Sequence, residues 1–360
     1  MTTPPDPPLV APSAGRLYRV WRIARYLFGL GAAGVAAWLV AGKTDELHGV
    51  TAYLGALRWW WLAVAVAAEG VSYVAYAALQ KRLLASGKVR VRMLPLTGIS
   101  LASIAMENSL PGGLLFYAAY LFRQYRRFGA DDVLAAWTLI ALNVVSFITL
   151  SVIASFGLAM ALGAATAYDL VEVILAITMT SMLIVVAWAE RALLLPHLAR
   201  AVRVSQFLLR RPSRARSAEH HIQLWLDRLV AVSPTRTDWA HTVTLSLANW
   251  VADCACLALS FMAVGAGVPW RGLLLAYGAG QLATVLPITP GGLGVVEGSL
   301  TVALVTFGGA QSSTVAAVLI YRLISFWLIL PVGWGSWGAL SLAGRNRRRG
   351  STAVVEAKAA

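Results

Sequence analysis

Charged side chains are scarce in this chain: they make up 13% of 360 residues, and Asp and Glu number only 16 against 30 Lys and Arg. Apolar residues account for 59%, and the mean hydropathy is +0.69. Several apolar runs exceed the roughly 18 to 20 residues that a helix needs to cross a bilayer. The composition therefore predicts an all-α polytopic membrane protein.

Cysteine and the common catalytic motifs are nearly absent as well. The two cysteines, Cys254 and Cys256, lie two apart in one apolar helix, so they point to different faces and predict neither a disulfide nor a metal site. The chain has no phosphate-binding glycine loop, no zinc-protease helix and no soluble domain of useful size. We therefore expect no cofactor, no metal and no catalytic residues. A lipid-modifying enzyme with Glu297 or Asp253 as general base is the disfavoured alternative.

The basic residues flank apolar segments instead of forming a compact face with interleaved aromatics, so the net charge of +14 does not predict a nucleic-acid partner. Basic residues placed this way mark topology and contact anionic lipid. The segment between Pro196 and Asp238 mixes eight Arg with apolar residues, which is typical of amphipathic helices on an anionic leaflet.

Two of eight apolar segments contain a Pro-Gly-Gly triplet, at 111–113 and 290–292. A broken helix at membrane depth needs surrounding protein or a cavity to satisfy its backbone. If each broken segment enters and leaves on one face, 94–122 on the cytoplasmic side and 271–307 on the outer side, 26 of the 30 Lys and Arg become cytoplasmic. The positive-inside rule therefore favours re-entrant hairpins, with both termini in the cytoplasm and the chain in the cell membrane.

A gapless shift of 179 residues aligns the two triplets, and it also aligns Phe128-Gly129 with Phe307-Gly308. With an extra helix between the halves, the second half is inverted relative to the first. The predicted fold is six transmembrane helices plus two re-entrant helical hairpins in an inverted-topology repeat. Its parts are a disordered tail (1–15), a first transmembrane helix (16–45), a first repeat (46–165), a linking helix and basic loop (166–239), a second repeat (240–344) and a basic tail (345–360).

Ionisable residues inside apolar segments are the candidate functional residues. Glu297 follows the second triplet, and Arg322 lies in the last span. They either neutralise each other as a buried pair or form, with the glycine-rich backbone, a site for an anionic group such as a phosphate. Both arrangements are compatible, with Glu297 holding Arg322 when the site is empty.

The first half is chemically different, because Asn143 stands at the repeat equivalent of Arg322. Glu107 and Asn108 flank the first triplet and either cap freed backbone groups or contact a ligand. Asp253 shares a helix face with Asn249, where hydrogen bonding between helices is the simpler interpretation. The full set of candidate binding residues is Pro290, Gly291, Gly292, Gly294, Glu297, Arg322, Glu107, Asn108, Pro111, Gly112, Gly113, Asn143 and Asp253.

Residues 286–298 read LPITPGGLGVVEG, and residues 320–327 read IYRLISFW. This pattern resembles the lysylphosphatidylglycerol synthase transmembrane-region family of flippase-like membrane proteins, from about residue 50 to 342. By resemblance Pro287, Pro290, Gly291, Gly292, Gly294, Glu297 and Arg322 map onto the family motif. Arg123 lies ten residues past Gly113, a departure from the first-half pattern of many members.

The resemblance implies movement of lipid head groups between leaflets. We therefore expect a flippase- or scramblase-like transporter of an anionic phospholipid or a polyprenyl-phosphate-linked lipid. The alternative is a non-transporting membrane partner of a lipid or glycan biosynthesis complex. Membrane lipids are the expected partners; a lipid synthase, a glycosyltransferase and a second copy of the chain remain open.

Overall fold

The structure, a computed structural model, describes residues 56–110, 112–163, 234–284 and 290–343. Several predictions fall outside the described residues: the first transmembrane helix, the linking helix, the basic loop, both tails, Pro111 and Pro287. Within the described stretches every regular element is a helix. We number them α1 (Trp59–Ser86), α2 (Met93–Ser109), α3 (Gly113–Arg127), α4 (Asp132–Leu162), α5 (Arg236–Ala263), α6 (Trp270–Thr284), α7 (Val295–Thr306) and α8 (Gln311–Ala343).

Four of the described helices, α1, α4, α5 and α8, are long and apolar enough to cross a membrane. Apolar side chains such as Val71, Ile140 and Val251 are exposed on them, as expected of surfaces that face lipid. These spans confirm the coarse prediction of an all-helical multi-pass membrane protein. Cys254 and Cys256 are buried and free, and they pack as small apolar side chains.

The remaining described helices form two pairs, and each pair is interrupted at a Pro-Gly-Gly triplet. Helix α2 packs against α3, and α6 packs against α7. Their lengths of 12 to 17 residues correspond to roughly 18 to 25 Å, less than the ~30 Å hydrocarbon core. Two helical hairpins are thus present where the sequence predicts them, and their re-entry on one membrane face remains a prediction.

The internal repeat is visible in the backbone. Helix α4 begins at Asp132 and α8 at Gln311, 179 positions later. The glycine before each of these helices has a positive φ, 95° at Gly129 and 97° at Gly308. The triplets match in the same way, with φ of 68° at Gly112 and 63° at Gly291. Equivalent positions therefore adopt equivalent turns.

The repeat-equivalent spans α1 and α5 run antiparallel. The backbone N–H of Arg58, just before α1, donates to the carbonyl of Ala263 at the end of α5. At the other end, Arg82 pairs with Asp238 at 2.9 Å. Helices that are equivalent by sequence and antiparallel in space are related by an approximate two-fold axis, which is the arrangement that an inverted repeat requires.

Each hairpin packs against the last span of the other repeat. A Cβ on Gly278 of α6 would lie 2.5 Å from the Cβ of Ala154 on α4. The equivalent contact on the other side joins α2 and α8, where a Cβ on Gly333 would collide with the carbonyl oxygen of Leu101. Small residues let these backbones approach closely, as is common between membrane helices. The two repeats are therefore interlocked.

Gly333→Ala tests this close approach. The added methyl has no space against the backbone of Leu101, so we expect a loss of about 1 to 3 kcal/mol in the free energy of unfolding, although alanine favours helix. Gly335→Ala, two positions later on an open face, serves as the matched control and should be neutral or stabilising. Unfolding in mixed micelles measures both, and equal effects would contradict the interlocked packing.

Candidate functional site at the second glycine break

The second break turns the chain within a few residues. Residues Pro290–Gly292 form a 3-10 turn, and α7 begins at Val295. Gly291, Gly292 and Gly294 have φ of 63°, 67° and 82°, a region that residues with a side chain rarely adopt. A Cβ at Gly291 would also collide with the ring of Phe326. Conformation and close packing therefore both require glycine here.

Glu297 lies in the first turn of α7 and bonds in two directions. Its Oε2 accepts the backbone N–H of Gly294 at 2.6 Å, and its Oε1 accepts the Nε–H of Arg322 at 2.7 Å. The first contact is half of a capping box, since glycine at the N-cap offers no side chain to complete it. Glu297 thus joins the helix start to Arg322.

Arg322 is buried within α8, with 8% of its side chain exposed. It is the twelfth residue of this helix, about 17 Å along the axis from its start. Besides Glu297, it donates to the carbonyl of Gly291 at 2.9 Å and lies 4.5 Å from the centre of the Phe326 ring. These two hydrogen bonds use two of the five guanidinium N–H groups. The buried pair that the sequence suggested is formed, and it holds the guanidinium against the glycine break.

Helix α8 widens directly after Arg322. Residues Leu323–Trp327 form a π-helical turn, in which the N–H of Leu328 donates to the carbonyl of Leu323 at 2.8 Å. Such turns are rare and occur frequently at functional sites. This turn contains Phe326, and the hydroxyl of Tyr73 on α1 donates to the carbonyl of Ser325 at 2.9 Å. A span of the first repeat is therefore attached to the π-helical turn of the second.

The two Pro-Gly-Gly breaks lie close to each other. Helix α2 contacts the Pro290–Gly292 turn, and a Cβ on Gly291 would lie 3.3 Å from the carbonyl oxygen of Asn108. Glu107 and Asn108 are half-buried, and Glu107 lies near the hydroxyls of Tyr76 and Tyr117, which hydrogen-bond to each other. The end of α2, including the carbonyl of Asn108, therefore forms part of the surroundings of the second break.

The first triplet also depends on its glycines. Gly112 caps the start of α3 with a positive φ of 68°. A Cβ on Gly113 would collide with the carbonyl oxygen of Glu107. Asn143, by contrast, is exposed, and its amide donates to the carbonyl of Leu139 one turn earlier in α4. The hydrogen bond of the Asn143 side chain thus stays within its own helix.

Asp253 of α5 is buried, and both of its carboxyl oxygens accept hydrogen bonds. Its Oδ2 accepts from the Tyr277 hydroxyl at 2.8 Å and from the Gln281 amide at 2.9 Å, and its Oδ1 accepts from the Tyr321 hydroxyl at 2.9 Å. These bonds join α5, α6 and α8, as the simpler interpretation expects. Since Tyr321 precedes Arg322, Asp253 is also held beside the cationic site.

Three residues of this site escaped sequence reasoning: Phe326, Tyr321 and Gln281. Phe326 carried a signal, because Ser325-Phe326 aligns with Ser146-Phe147 in the repeat. Tyr321 precedes Arg322 in the pattern that carries the family resemblance, but its hydrogen bond to Asp253, like that of Gln281, is visible only in the tertiary structure.

A double-mutant cycle measures the ion pair. Glu297→Gln and Arg322→Met should each destabilise the protein, because each leaves the partner's charge in a poorly hydrated site. The double variant should lose less than the two single losses combined, with a coupling of about 1 to 3 kcal/mol. Free energies of unfolding in mixed micelles give the three values. Strict additivity would show that the pair does not hold the site together.

The family model described as the lysylphosphatidylglycerol synthase TM region matches residues 23–333. A UPF0104 membrane protein of Methanothermobacter thermautotrophicus is 27% identical over 254 residues, which cover 65% of this chain and 71% of the relative. A second match to a UPF0104 membrane protein of that organism is 33% identical over 89 residues, 25% of this chain and 27% of the relative. The chain belongs to the lysylphosphatidylglycerol synthase transmembrane-region family.

Proposed function

We propose that this protein moves an anionic lipid between the two leaflets, as a flippase- or scramblase-like transporter, with the head group bound at Arg322. The observation that carries the proposal is the geometry of that guanidinium. It is buried in a membrane-spanning helix and held by Glu297, the Gly291 carbonyl and the Phe326 ring at a break in the backbone. A charge at the centre of a bilayer costs at least ~2.5 kcal/mol, and such residues typically mark substrate paths.

The chemistry of the site fits a phosphate group. Arginine binds phosphate through paired N–H donors, and the start of α7 presents backbone N–H groups and the positive end of its dipole. Glu297 occupies the place that a phosphate oxygen would take on Nε, so head-group binding becomes an exchange of one anion for another. The guanidinium therefore has an anionic partner in both states.

The inverted repeat supports movement between two faces. The antiparallel pair of α1 and α5 lets the two halves rock about an approximate two-fold axis while the site stays between them. The two glycine breaks meet near this site, so either hairpin tip can open a path to it. Alternating access of the head group, with the acyl or polyprenyl chains remaining in lipid, follows from that geometry.

The same proposal covers location and partners. We place the protein in the cell membrane with both termini in the cytoplasm, on the grounds of the charge distribution. It acts without chemical conversion of its lipid. A lipid synthase or glycosyltransferase supplies the substrate, which is an anionic phospholipid or a polyprenyl-phosphate-linked lipid.

Transport is testable in liposomes. Purified protein should make a fluorescent anionic phospholipid of the inner leaflet accessible to dithionite, and Arg322→Ala should slow this by roughly tenfold or more, since a hydrogen bond to a charged group contributes about 1.5 to 3 kcal/mol. Arg271→Ala, an exposed arginine at the start of α6, is the matched control and should leave the rate unchanged. Inactivity of the wild type on anionic phospholipids and polyprenyl phosphates alike would instead favour a scaffolding role.

Head-group binding can be separated from transport with a short-chain phosphatidylglycerol. Glu297→Gln removes the competing carboxylate, so we expect tighter binding than in the wild type despite lower stability. Arg322→Ala should abolish the binding. Calorimetry on protein in micelles provides the comparison, and weaker binding by Glu297→Gln would contradict the exchange of anions at Arg322.

A further inference from the structure

A second carboxyl group faces Asp253 in the interior of the bundle. Glu69 of α1 is 4% exposed, and its side chain interacts directly with that of Asp253 on α5. Its Oε2 is shielded from solvent and has no hydrogen-bond partner among the described residues. A buried carboxyl oxygen without a donor is costly, which points to a ligand that occupies it.

The charges around this pair do not balance. Titratable or charged groups on the packed helices that face the two carboxyls are Tyr73, Cys254, Cys256, Tyr277, Tyr321 and Arg322. Arg322 is the cation in this set, and its Nε–H is bonded to Glu297. The carboxyl groups of Glu69, Asp253 and Glu297 thus share the guanidinium of Arg322. In the low-dielectric interior, unpaired charges interact strongly.

We propose that Glu69 and Asp253 form a proton-binding site, in which one exchangeable proton is held between the two carboxyl groups and its binding promotes binding of the anionic head group at Arg322. The coupling half of this proposal rests on the proposed function, and the proton site does not. Paired intramembrane carboxyl groups are suited to proton relay, because a single proton removes the repulsion between them.

The two carboxyls differ in access. Glu69 lines a mostly apolar cavity of about 280 Å³ between α1, α2 and α8, together with Tyr73, Thr97 and Ile324. Asp253 lies behind it, enclosed by the Tyr277 and Tyr321 hydroxyls and the Gln281 amide. Glu69 is therefore the carboxyl that a proton can reach through a cavity, and Asp253, with three hydrogen-bond donors, is the one that retains the negative charge.

The pair is mechanically connected to the head-group site. Tyr321, which donates to Asp253, is the neighbour of Arg322 in α8. Tyr73, which interacts with Glu69, donates to the Ser325 carbonyl in the π-helical turn that contains Phe326. Both carboxyls are thus attached to the segment that positions the guanidinium and the ring above it.

Electrostatics fixes the sign of the coupling. Loss of the proton adds a negative charge near Arg322, which interacts electrostatically with Asp253 and would then hold a phosphate less tightly. Gain of the proton removes that charge and strengthens anion binding. The proton and the anionic head group therefore bind together and are released together, and lipid movement follows the direction of a proton gradient.

Infrared spectroscopy on the protein in lipid nanodiscs tests the proton site without any transport assay. We expect a protonated-carboxyl C=O stretch in the wild type that Glu69→Gln or Asp253→Asn removes or shifts. Asp132→Asn, a half-exposed acid paired with Arg126 at the start of α4, is the charge-matched control and should leave the band unchanged. A wild type without this band overturns the proton site whether or not the protein moves lipid.

The coupling is tested by binding of short-chain phosphatidylglycerol over a pH series. The wild type should bind at least roughly fivefold more tightly at low than at high pH, while Glu69→Gln should bind tightly throughout. In liposomes an imposed pH gradient should accelerate lipid movement by the wild type and by Asp132→Asn, and not by Glu69→Gln. If the protonated-carboxyl band is present but binding does not depend on pH, the coupling alone is overturned. If the band is present and binding depends on pH but no lipid moves, only the transport function is overturned. If Glu69→Gln does not yield folded protein, Asp253→Asn and the wild-type pH series decide the question.

Discussion

A guanidinium buried in an apolar helical bundle is the constraint on which the rest of this structure depends. Its charge must be met, and each partner imposes a local geometry: Glu297 must sit in the first turn of a helix, Gly291 must offer its carbonyl, and Phe326 must lie over the guanidinium. The glycines of the second break and the π-helical turn hold these groups together around the guanidinium. The most unusual backbone of the described chain is therefore gathered around one side chain.

The first hairpin shows the same backbone devices without the cation. It has a glycine of positive φ, a second glycine against a carbonyl and two short helices, but its equivalent of Arg322 is an exposed Asn143. The two repeats thus share their backbone shape but differ in the charges of their side chains. The two hairpins contribute differently to the candidate site. The second hairpin contributes Gly291 and Glu297, and the first contributes the nearby backbone of Asn108.

Much of the fold could be predicted from sequence because bilayer physics leaves few choices. Apolar length identified the spans, the repeated triplet located both interruptions, and the shift of 179 residues anticipated the start of α8 from that of α4. Glu297 and Arg322 were found because charges in apolar segments are rare. The meeting of Glu69 with Asp253 depends on how α1 and α5 cross, and a sequence without tertiary contacts does not define that crossing. The hydrogen bonds that Tyr321 and Gln281 donate to Asp253 could not be predicted for the same reason.

The interlocked packing of the repeats affects the order in which the helices can pack during synthesis. Leu101 of α2 meets Gly333 of α8, so the first hairpin leaves the ribosome long before its packing surface exists. At roughly 5 to 20 residues per second, that delay is on the order of ten seconds or more. During this interval another partner, such as the insertion machinery or α1, must shield the unpaired backbone groups of the first glycine break from lipid. The architecture that joins the two halves thus makes the synthesis of α8 the step at which the first hairpin gains its packing partner.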